Sequence, residues 1–391
     1  MDYNKMALEM HEKNQGKLGT YSKVEVKTKD DLSTAYTPGV AEPCRKIADN
    51  PDDIYKYTFK GNMVAVVSDG SAVLGLGNIG GAASMPVMEG KCVLFKEFSG
   101  VDAFPICLTT QNDDEIIKIV QNLEPVFGGI NLEDINAPRC FYIEEQLKKT
   151  MNIPVFHDDQ HGTAIVVSSA LLNALKLVGK KIEDIKIAMN GAGSAAIAVS
   201  KLIMGFGVKN LIICDSKGAI YEGRKDGMNP YKDQMAKVTN REMIKGGLKE
   251  AVVGADVFIG LSKANVLTQE MVKTMAPKPL IFAMANPTPE IMPDEAKAAG
   301  AAVVATGRSD FPNQINNVLA FPGVFKGACE VRASDINEQM KIAAAVALAG
   351  MVKTEDLTPE NIMPPALDRN VAKVVAAAVA KAARDSGVAR I

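Results

Sequence analysis

The chain of 391 residues is long enough for two domains, each with a hydrophobic core of ordinary size. A hydrophobic fraction of 47%, a charged fraction of 23% and a formal net charge of −2 argue against disorder and against a nucleic-acid-binding surface. No apolar run reaches the roughly 18 residues of a membrane span, and the first residues do not resemble a signal peptide, which argues against a membrane partner. We therefore expect a cytoplasmic protein that acts on a small, diffusible molecule.

The first half of the chain predicts strands that alternate with helices. About fifty polar residues, helical in places, precede a β-branched run that starts at Met63 and leads into a glycine-rich connection. A helix that carries Lys91 follows, and the segments "DAFPICL", "GGINLEDI" and "IPVFHDD" predict three more strands separated by helices. This alternation is typical of parallel β-α-β units.

Two pairs of acidic residues stand at the ends of neighbouring strands. Glu133 and Asp134 end one strand, Asp158 and Asp159 end the next, and a single crossover helix separates them. Right-handed β-α-β geometry places the carboxyl ends of two such strands at the same edge of the sheet. Four converging carboxylates repel one another unless a divalent cation lies among them, and hard oxygen ligands favour Mg²⁺ or Mn²⁺ over zinc. The spacing therefore predicts a metal site.

Two other interpretations of this cluster remain open. His157 and His161 have the spacing of a zinc-binding pair, but that pair requires one continuous helix, whereas His157 closes a predicted strand and Gly162 follows His161 directly. Alternatively, the acidic residues cap helices at loop ends, which is a frequent use of Asp. Two acidic pairs on adjacent strand ends favour the metal site over both alternatives.

A second block begins near His161 with a long, nearly all-apolar helix, which we expect between the two halves of the molecule. It continues with "IKIAMNGAGSAA", in which Gly191, Gly193 and Ala196 have GxGxxA spacing between a strand and a helix. The first glycine permits the turn, the second admits a pyrophosphate, and the alanine allows close helix packing. This combination predicts a dinucleotide-binding turn.

The next strand ends in Asp215, which bears on the choice of coenzyme. An acid at this position accepts hydrogen bonds from both ribose hydroxyls, which favours NAD and repels a 2′-phosphate. Lys217 follows closely and would attract a phosphate, so NADP remains possible. We therefore expect NAD, with NADP as the alternative.

Later strands and an alanine-rich C-terminus complete the predicted fold. The segments "ADVFIGLS", "PLIFAMANP" and "AAVVATG" predict strands, and the chain after about residue 323 predicts helices that pack back onto the second domain. We predict an α/β protein with an N-terminal α/β domain of parallel strands at residues 1–160. A Rossmann-type dinucleotide-binding domain with C-terminal helices is expected at residues 161–391.

Oxidation of an alcohol needs a base for the hydroxyl proton, and a lysine is one candidate. A lysine that is partly desolvated beside a cation has a lowered pKa, and Lys91 lies in an apolar helix where this is possible. Lys60 and Lys96 compete with it, and a surface role for Lys91 is the simpler interpretation from its sequence context.

Tyr36 and several carboxamide side chains are further candidates for the functional site. Tyr36 lies in "LSTAYTPGV", where a tyrosine usually packs with its hydroxyl group satisfied. Asn286 follows a predicted strand, and Asn313, Gln314, Asn316 and Asn317 are clustered in "PNQINNVLAFPG". Amides at strand ends bind a substrate carboxylate or a nicotinamide, but they also cap turns, and both interpretations stay open.

Together, these motifs identify a resemblance that covers nearly the whole chain. The segments "AYTPGVAEPC", "VSDGSAVLGLGNIG", "PVMEGKCVLFK", "NLEDI", "PVFHDDQHGTA", "GAGSAA", "FAMANPTPE" and "NQINNVLAFPG" resemble, in this order, the short bacterial and archaeal form of the malic enzymes. The resemblance implies oxidative decarboxylation of L-malate to pyruvate and CO₂ with reduction of NAD or NADP. It further implies dependence on Mg²⁺ or Mn²⁺ and a homodimer.

The resemblance also implies individual roles. Tyr36 would be the general acid, Lys91 the general base, and Asp158 a residue that orients or tunes Lys91. The implied metal ligands are Glu133, Asp134 and Asp159. Residues implied in coenzyme binding are the turn Gly191, Ala192, Gly193, Ser194 and Ala195, together with Asp215, Asn286 and Asn317, of which Asn286 and Asn317 contact substrate or nicotinamide.

One departure from the family pattern concerns the substrate. Larger animal-type members carry an arginine that clamps a substrate carboxylate two residues after the "DG" of the first glycine segment, and Ala72 stands there in this chain. How the second carboxylate is held therefore stays open. Two alternative functions also remain: a metal-dependent dehydrogenase that acts on another 2-hydroxy acid or does not decarboxylate, and a catalytically silent nucleotide-binding regulator.

Overall fold

The N-terminal region is a series of short helices with little burial. The computed structural model describes residues 2–73 and 75–391. The helices before the first strand are α1 (Tyr3–Asn14), α2 (Lys29–Ala35), α3 (Ala41–Asp49) and α4 (Ile54–Tyr57). No residue between 2 and 59 is buried. We call residues 2–59 the N-terminal arm.

The first sheet contains four parallel strands in the order β2-β1-β3-β4. Its elements are β1 (Met63–Ser68), α5 (Gly80–Ser99), β2 (Asp102–Cys107), α6 (Asp113–Gln121), β3 (Gly129–Leu132), α7 (Arg139–Thr150) and β4 (Val155–His157). Residues of β1, β3 and β4 are almost all buried, as expected for parallel strands covered by helices. Leu132 pairs with His157 in register, so the carboxyl ends of β3 and β4 lie side by side.

A long apolar helix, α8 (Asp158–Val178), leads from the first sheet to the second. It has the length and mean hydropathy of a membrane-spanning helix, although the sequence had suggested no such run. Of its most apolar window, 67% is buried inside the protein. The helix packs mainly on α9 (Ser194–Gly205) and α15 (Glu338–Ala349), so it is a core helix between the two halves, as predicted.

The second sheet has six strands in the order β10-β9-β8-β5-β6-β7, all parallel except for β7. Its elements besides α9 are β5 (Lys186–Asn190), β6 (Asn210–Asp215), β7 (Gly218–Ala219), α10 (Pro230–Ala236), α11 (Leu248–Ala251), β8 (Val257–Gly260), α12 (Gln269–Lys273), β9 (Leu280–Ala283), α13 (Pro293–Ala298) and β10 (Val303–Thr306). The strand order reverses between β5 and β8, where doubly wound sheets bind their ligands. The predicted α/β class with a Rossmann-type sheet is confirmed.

One of the C-terminal helices, α14 (Phe321–Glu330), differs from expectation in where it packs. The others are α15 and α16 (Asn370–Asp385). Phe321 and Phe325 of α14 lie with ring centroids 4.7 and 5.3 Å from Phe95 of α5, and Phe325 also contacts Phe156 of β4 at 5.6 Å. These aromatic contacts attach α14 to the first sheet rather than to the second. The division of the chain at residue 160 stays a prediction.

Candidate active site

The acidic residues meet at one edge of the first sheet. Glu133 and Asp134 follow β3, while Asp158 and Asp159 form the first turn of α8 directly after β4. One carboxylate oxygen from each of Glu133, Asp134 and Asp159 lies within 4.8 Å of the others. The backbone amide of Asp134 also donates a hydrogen bond of 2.8 Å to Asp159 Oδ2, which ties the two strand ends together.

The loop after β1 reaches the same edge. The amide of Ala72 donates to the carbonyl oxygen of Asp134 at 2.9 Å, and the amide of Asn136 donates to Ser71 Oγ at 3.0 Å. Asp134 has a positive φ of 54°, which turns the chain at the end of the strand. Position 72 therefore lies beside the acidic residues.

Lys91 is the lysine that the fold places among these acids. Its ammonium group lies 2.9 Å from Glu133 Oε1 and 2.7 Å from Asp158 Oδ2, and 4.4 Å from the ring centroid of Phe321. The two competing lysines are used elsewhere, since Lys60 donates to backbone carbonyls and Lys96 pairs with Asp102. Geometry thus selects Lys91, which sequence context had not done.

Asp158 is fully buried and joins Lys91 to the C-terminal part of the chain. Its Oδ2 accepts from both Lys91 and the side-chain amide of Asn317, whereas Oδ1 has no hydrogen-bond partner. A Cβ atom at Gly162, one turn later, would overlap Asp158 Oδ1. Glycine is therefore required there for the carboxylate to occupy this place.

Acidic groups outnumber basic groups in this cluster. Burial raises the pKa of all four carboxyl groups, and repulsion between the acids adds to the effect, with the pKa of Asp134 reaching about 9. For Lys91, burial acts to lower the pKa, but Asp158 and Glu133 outweigh it and raise the pKa above its usual value. We had expected a lowered pKa. A lowered pKa of Lys91 requires a neighbouring cation, whereas the carboxylates without a cation raise the pKa.

This donor set fits a divalent ion. The buried carboxylates of Glu133 and Asp134 and the half-buried carboxylate of Asp159 have oxygens close together. Opposed by a single ammonium group, they leave negative charge that a hard cation would neutralise. The zinc alternative fits less well, because His157 Nε2 lies 3.4 Å from Asp159 Oδ2 while His161 Nε2 lies 2.8 Å from Glu144 Oε1. Nor do the acids act as side-chain caps, since the N-cap residue of α8 is His157.

The glycine turn after β5 has the features of a coenzyme cradle. Gly191 has a φ of 127°, its amide donates to Cys214 O at 2.8 Å, and a Cβ atom there would lie 2.5 Å from Leu261 O. A Cβ atom at Gly193 would meet nothing within 4 Å, so the turn is open where a pyrophosphate would approach. Ser194 then begins α9, whose first amides face this opening. The residues present fit a dinucleotide.

Asp215 lies at the end of β6, but both oxygens of its carboxylate already accept hydrogen bonds from other residues. Oδ1 accepts from the amide of Lys217 and from Arg224 Nη1, both at 2.9 Å. Oδ2 accepts from Arg224 Nη2 and, at 2.7 Å, from the ammonium group of Lys232. Although burial opposes the shift, these donors lower the pKa of Asp215 to about 2. The structure thus departs from the expectation that Asp215 is free to accept from ribose.

The carboxamides have different surroundings. Asn313 donates to the carbonyls of Val304 and Pro359, and Asn316 caps the short helical turn Asn317–Leu319, so both are structural. Asn317 reaches the acidic cluster through Asp158. Asn286 follows β9 and faces Gly307, where a Cβ atom would lie 2.6 Å from its Nδ2.

Tyr36 is not part of the buried cluster. It is the C-cap residue of α2 in the N-terminal arm, and its side chain is 68% exposed. Conversely, the structure adds two residues that sequence reasoning did not assign. Asn131 of β3 donates to Glu133 Oε2 at 2.8 Å, and Glu144 of α7 contacts the start of α8. A polar residue inside an apolar strand and an acid on an apolar helix face were the available signals.

A Rossmann-type sheet beside a buried lysine–carboxylate cluster defines an NAD(P)-binding oxidoreductase. The chain belongs to the malic enzyme family: the model of the malic enzyme N-terminal domain matches residues 13–148, and that of the malic enzyme NAD binding domain matches residues 160–384. The predicted resemblance is therefore confirmed.

Individual relatives agree over most of the chain. It is 61% identical to the bifunctional malic/malolactic enzyme of Bacillus subtilis, covering 100% of this chain and 95% of that protein. It is 56% identical to the NAD-dependent malic enzyme of Geobacillus stearothermophilus, with coverages of 96% and 78%. The NADP-dependent malic enzyme of Rhizobium meliloti is 52% identical, and the match spans 98% of this chain and 52% of that protein.

Solved structures show the same architecture. The crystal structure of an NAD-dependent malic enzyme from Thermotoga maritima has a TM-score of 0.93 and 52% identity, covering 96% of this chain and 98% of that one. The malic enzyme of Entamoeba histolytica has a TM-score of 0.95 and 41% identity, with coverages of 100% and 83%. Both sheets of this chain therefore have counterparts in known malic enzymes.

Proposed function

We propose that the protein catalyses the divalent-metal-dependent oxidative decarboxylation of L-malate to pyruvate and CO₂, with reduction of NAD or NADP. The observation that carries the proposal is the position of Lys91, held between Glu133 and Asp158 at the sheet edge where Asp134 and Asp159 also converge. The relatives named above, which are malic enzymes dependent on NAD or on NADP, support the substrate and the coenzymes.

Glu133, Asp134 and Asp159 would hold the metal ion. What Mg²⁺ or Mn²⁺ supplies in such a site is positive charge beside the C2 oxygen of malate, where negative charge develops during both oxidation and decarboxylation. The same charge would lower the pKa of Lys91, which the surrounding carboxylates otherwise raise. Lys91 and the metal ligands are therefore interdependent in this proposal.

The protein's own groups move the protons. Lys91 Nζ, as the neutral amine, takes the proton of the C2 hydroxyl while hydride passes from C2 to the oxidised nicotinamide, and Asp158 orients the amine through their 2.7 Å contact. Loss of CO₂ from the resulting 2-oxo acid leaves enolpyruvate, and the Tyr36 hydroxyl donates a proton to its C3 to give pyruvate. Asn286 and Asn317 offer amide groups to the substrate carboxylate or the nicotinamide carboxamide.

In the single chain, Tyr36 lies outside the Lys91 cluster. It reaches such a site only if the N-terminal arm packs on another subunit. The arm leaves large apolar side chains exposed, including Tyr3 at 72%, Leu8 at 74% and Tyr21 at 68%. This number of exposed large apolar residues in one segment is typical of a subunit interface. We therefore propose a homodimer in which the arm packs on a second copy and places Tyr36 beside a Lys91 cluster.

The occupied carboxylate of Asp215 changes the expectation for the coenzyme. Because its four hydrogen bonds use the acceptor positions of both oxygens, Asp215 has none left for a ribose diol. Arg224 and Lys232 together outweigh its charge, which removes the repulsion of a 2′-phosphate. The proposal is that the site accepts NADP as well as NAD.

The test is a spectrophotometric assay of the purified protein with L-malate and Mn²⁺, run separately with NAD and NADP. Pyruvate, oxaloacetate and CO₂ are measured with the reduced coenzyme, and lactate is included because the Bacillus subtilis relative is named a malic/malolactic enzyme. Stoichiometric pyruvate and CO₂ would support the proposal. Oxaloacetate without CO₂, or activity only with another 2-hydroxy acid, would favour the alternative dehydrogenase.

A further inference from the structure

Glu144 is a buried carboxylate that the proposed mechanism does not use. It lies on α7, and only 6% of its surface is exposed. Its carboxylate accepts from the backbone amide of His157 at 3.3 Å, from Gln160 Nε2 at 3.1 Å and from His161 Nε2 at 2.8 Å. Three donors from a five-residue segment therefore converge on a single acid.

The segment that Glu144 holds is the one that presents the catalytic carboxylates. Asp158 and Asp159 lie between the donors that Glu144 accepts from, and their side chains point into the cluster with Lys91 and Asp134. His157, the N-cap residue of α8, makes no side-chain capping bond of its own. Glu144 thus adds, from a neighbouring helix, an acceptor and a negative charge at this helix start, where Asp158 and Asp159 are directed to the cluster instead.

The state of Glu144 suits this task. Burial acts to raise its pKa, but the interactions with His161 and Lys148 outweigh burial and lower the pKa to about 2. Glu144 therefore remains an ionised acceptor throughout the working range of pH. The other ring nitrogen of His161, Nδ1, lies 3.3 Å from the ammonium group of Lys341, so it accepts while Nε2 donates to Glu144.

We propose that Glu144 is a positioning residue that fixes the backbone of residues 157–161 and thereby the places of Asp158 and Asp159. The inference rests on the proposed function, which assigns Asp159 to the metal ion and Asp158 to Lys91. Residues one step removed from metal ligands commonly tune affinity, and their loss costs about 10- to 100-fold in metal binding. We expect a loss of that size when Glu144 no longer accepts from all three donors.

The variant Glu144→Gln tests this role with little change in shape. Its amide nitrogen cannot accept a hydrogen bond from Gln160 or His161, and the variant has no negative charge at the start of α8. Glu144 and His161 also line a cavity of about 410 Å³. In the variant, water in this cavity would hydrogen-bond to a donor that has lost its partner. The matched control is Glu145→Gln, because Glu145 is the next residue and pairs with Lys149 at 2.6 Å on the exposed surface.

The measurement is Mn²⁺ binding to the full-length protein, followed by the electron paramagnetic resonance signal of free Mn²⁺. We expect Glu144→Gln to bind Mn²⁺ more weakly than the wild type by about tenfold or more. Glu145→Gln should bind Mn²⁺ as the wild type does, and both variants should keep their affinity for reduced coenzyme. The double variant Glu144→Gln/Gln160→Glu exchanges amide and carboxylate and should recover Mn²⁺ affinity.

Three results would overturn the inference. Equal Mn²⁺ binding by wild type and Glu144→Gln would overturn it alone and leave the proposed function standing. A parallel loss of coenzyme affinity and thermal stability in Glu144→Gln would show a general structural role instead. Absence of Mn²⁺ binding by the wild type would remove the proposed metal site, and this inference with it.

Discussion

Lys91 Nζ and Asp158 Oδ2 are 2.7 Å apart inside the protein, with 8% of the lysine side chain exposed and none of the aspartate. A buried pair of this kind is costly to break, because removal of one partner leaves the other charge without compensation. The pair also joins the first sheet to α8, since Lys91 belongs to α5 and Asp158 opens the long helix.

Replacing Lys91 with alanine is expected to abolish malate oxidation. Loss of a general base costs about 10²- to 10⁴-fold in rate, and the two competing lysines, Lys60 and Lys96, have other partners. The measurement is kcat for malate-dependent coenzyme reduction, with Lys96→Ala as the control. Near-normal turnover by Lys91→Ala would rule out its assignment as base.

Tyr36→Phe should suppress pyruvate formation while leaving coenzyme binding unchanged. The hydroxyl is proposed to protonate C3 of enolpyruvate, and the phenylalanine ring keeps the shape of the exposed side chain. We expect a fall of about 10²-fold or more in kcat, measured as pyruvate released, with coenzyme affinity from nucleotide fluorescence as the control. Normal pyruvate release would exclude Tyr36 as the acid.

Hybrid dimers distinguish which subunit supplies Tyr36. If the arm of one copy serves the cluster of the other, a hybrid of Tyr36→Phe and Lys91→Ala subunits has one intact site and about half of the wild-type activity. If both groups belong to one chain, every site in that hybrid is defective. Differently tagged subunits, co-expressed and purified through both tags, provide the sample, and a monomer by light scattering would contradict the proposed dimer itself.

Mn²⁺ should stabilise the protein against heat. An ion that binds only the folded state contributes about 2.7 kcal/mol when its concentration is one hundred times Kd, and it also relieves repulsion among Glu133, Asp134 and Asp159. We expect a rise in Tm with Mn²⁺ that chelator reverses and that Asp159→Asn diminishes. A Tm that does not respond to Mn²⁺ would count against the site.

Acid should weaken the contribution of Asp215 to stability. Its pKa is lowered to about 2 from an ordinary value of 3.8, so its contribution is present above about pH 4 and is lost as pH falls towards 2. Asp215→Asn should therefore be less stable than the wild type at pH 6, and the difference should shrink at pH 3. Denaturant unfolding at both values measures it, and Asp226→Asn is the exposed control.

The ammonium group of Lys232 should matter more for NADP than for NAD. It lies 2.7 Å from Asp215 Oδ2 and 2.8 Å from Gly227 O, which leaves one N–H free for a 2′-phosphate. Lys232→Ala is expected to raise the KM for NADP by about tenfold with a smaller effect on NAD. Lys225→Ala, on the exposed surface, serves as control, and equal changes for both coenzymes would contradict this role.

The sequence was sufficient for features that depend on local order along the chain. Parallel strands joined by one crossover helix have adjacent carboxyl ends, so the convergence of Glu133 with Asp159 follows from the order of the elements. The turn at Gly191 follows likewise from its position between a strand and a helix. Both depend on backbone geometry, which short-range patterns determine.

Features that depend on distant partners were beyond sequence reasoning. The engagement of Asp215 requires Arg224 and Lys232 to fold back onto the strand end, and no local pattern encodes that. The attachment of α14 to the first sheet follows from aromatic packing with Phe95, which lies more than two hundred residues earlier. The direction of the pKa shift of Lys91 is set by its charged neighbours rather than by burial alone.

The unbroken course of α8 has a mechanical consequence. It starts within the acidic cluster at Asp158 and ends at Val178, just before the second sheet. A helix without interruption gives the polypeptide no hinge along this crossing. Any opening of the cleft for substrate entry must therefore bend the chain at one end of α8, before Asp158 or after Val178, and at the return crossing between β10 and α14. Relaxation measurements should detect slow motion at these connections and none within α8.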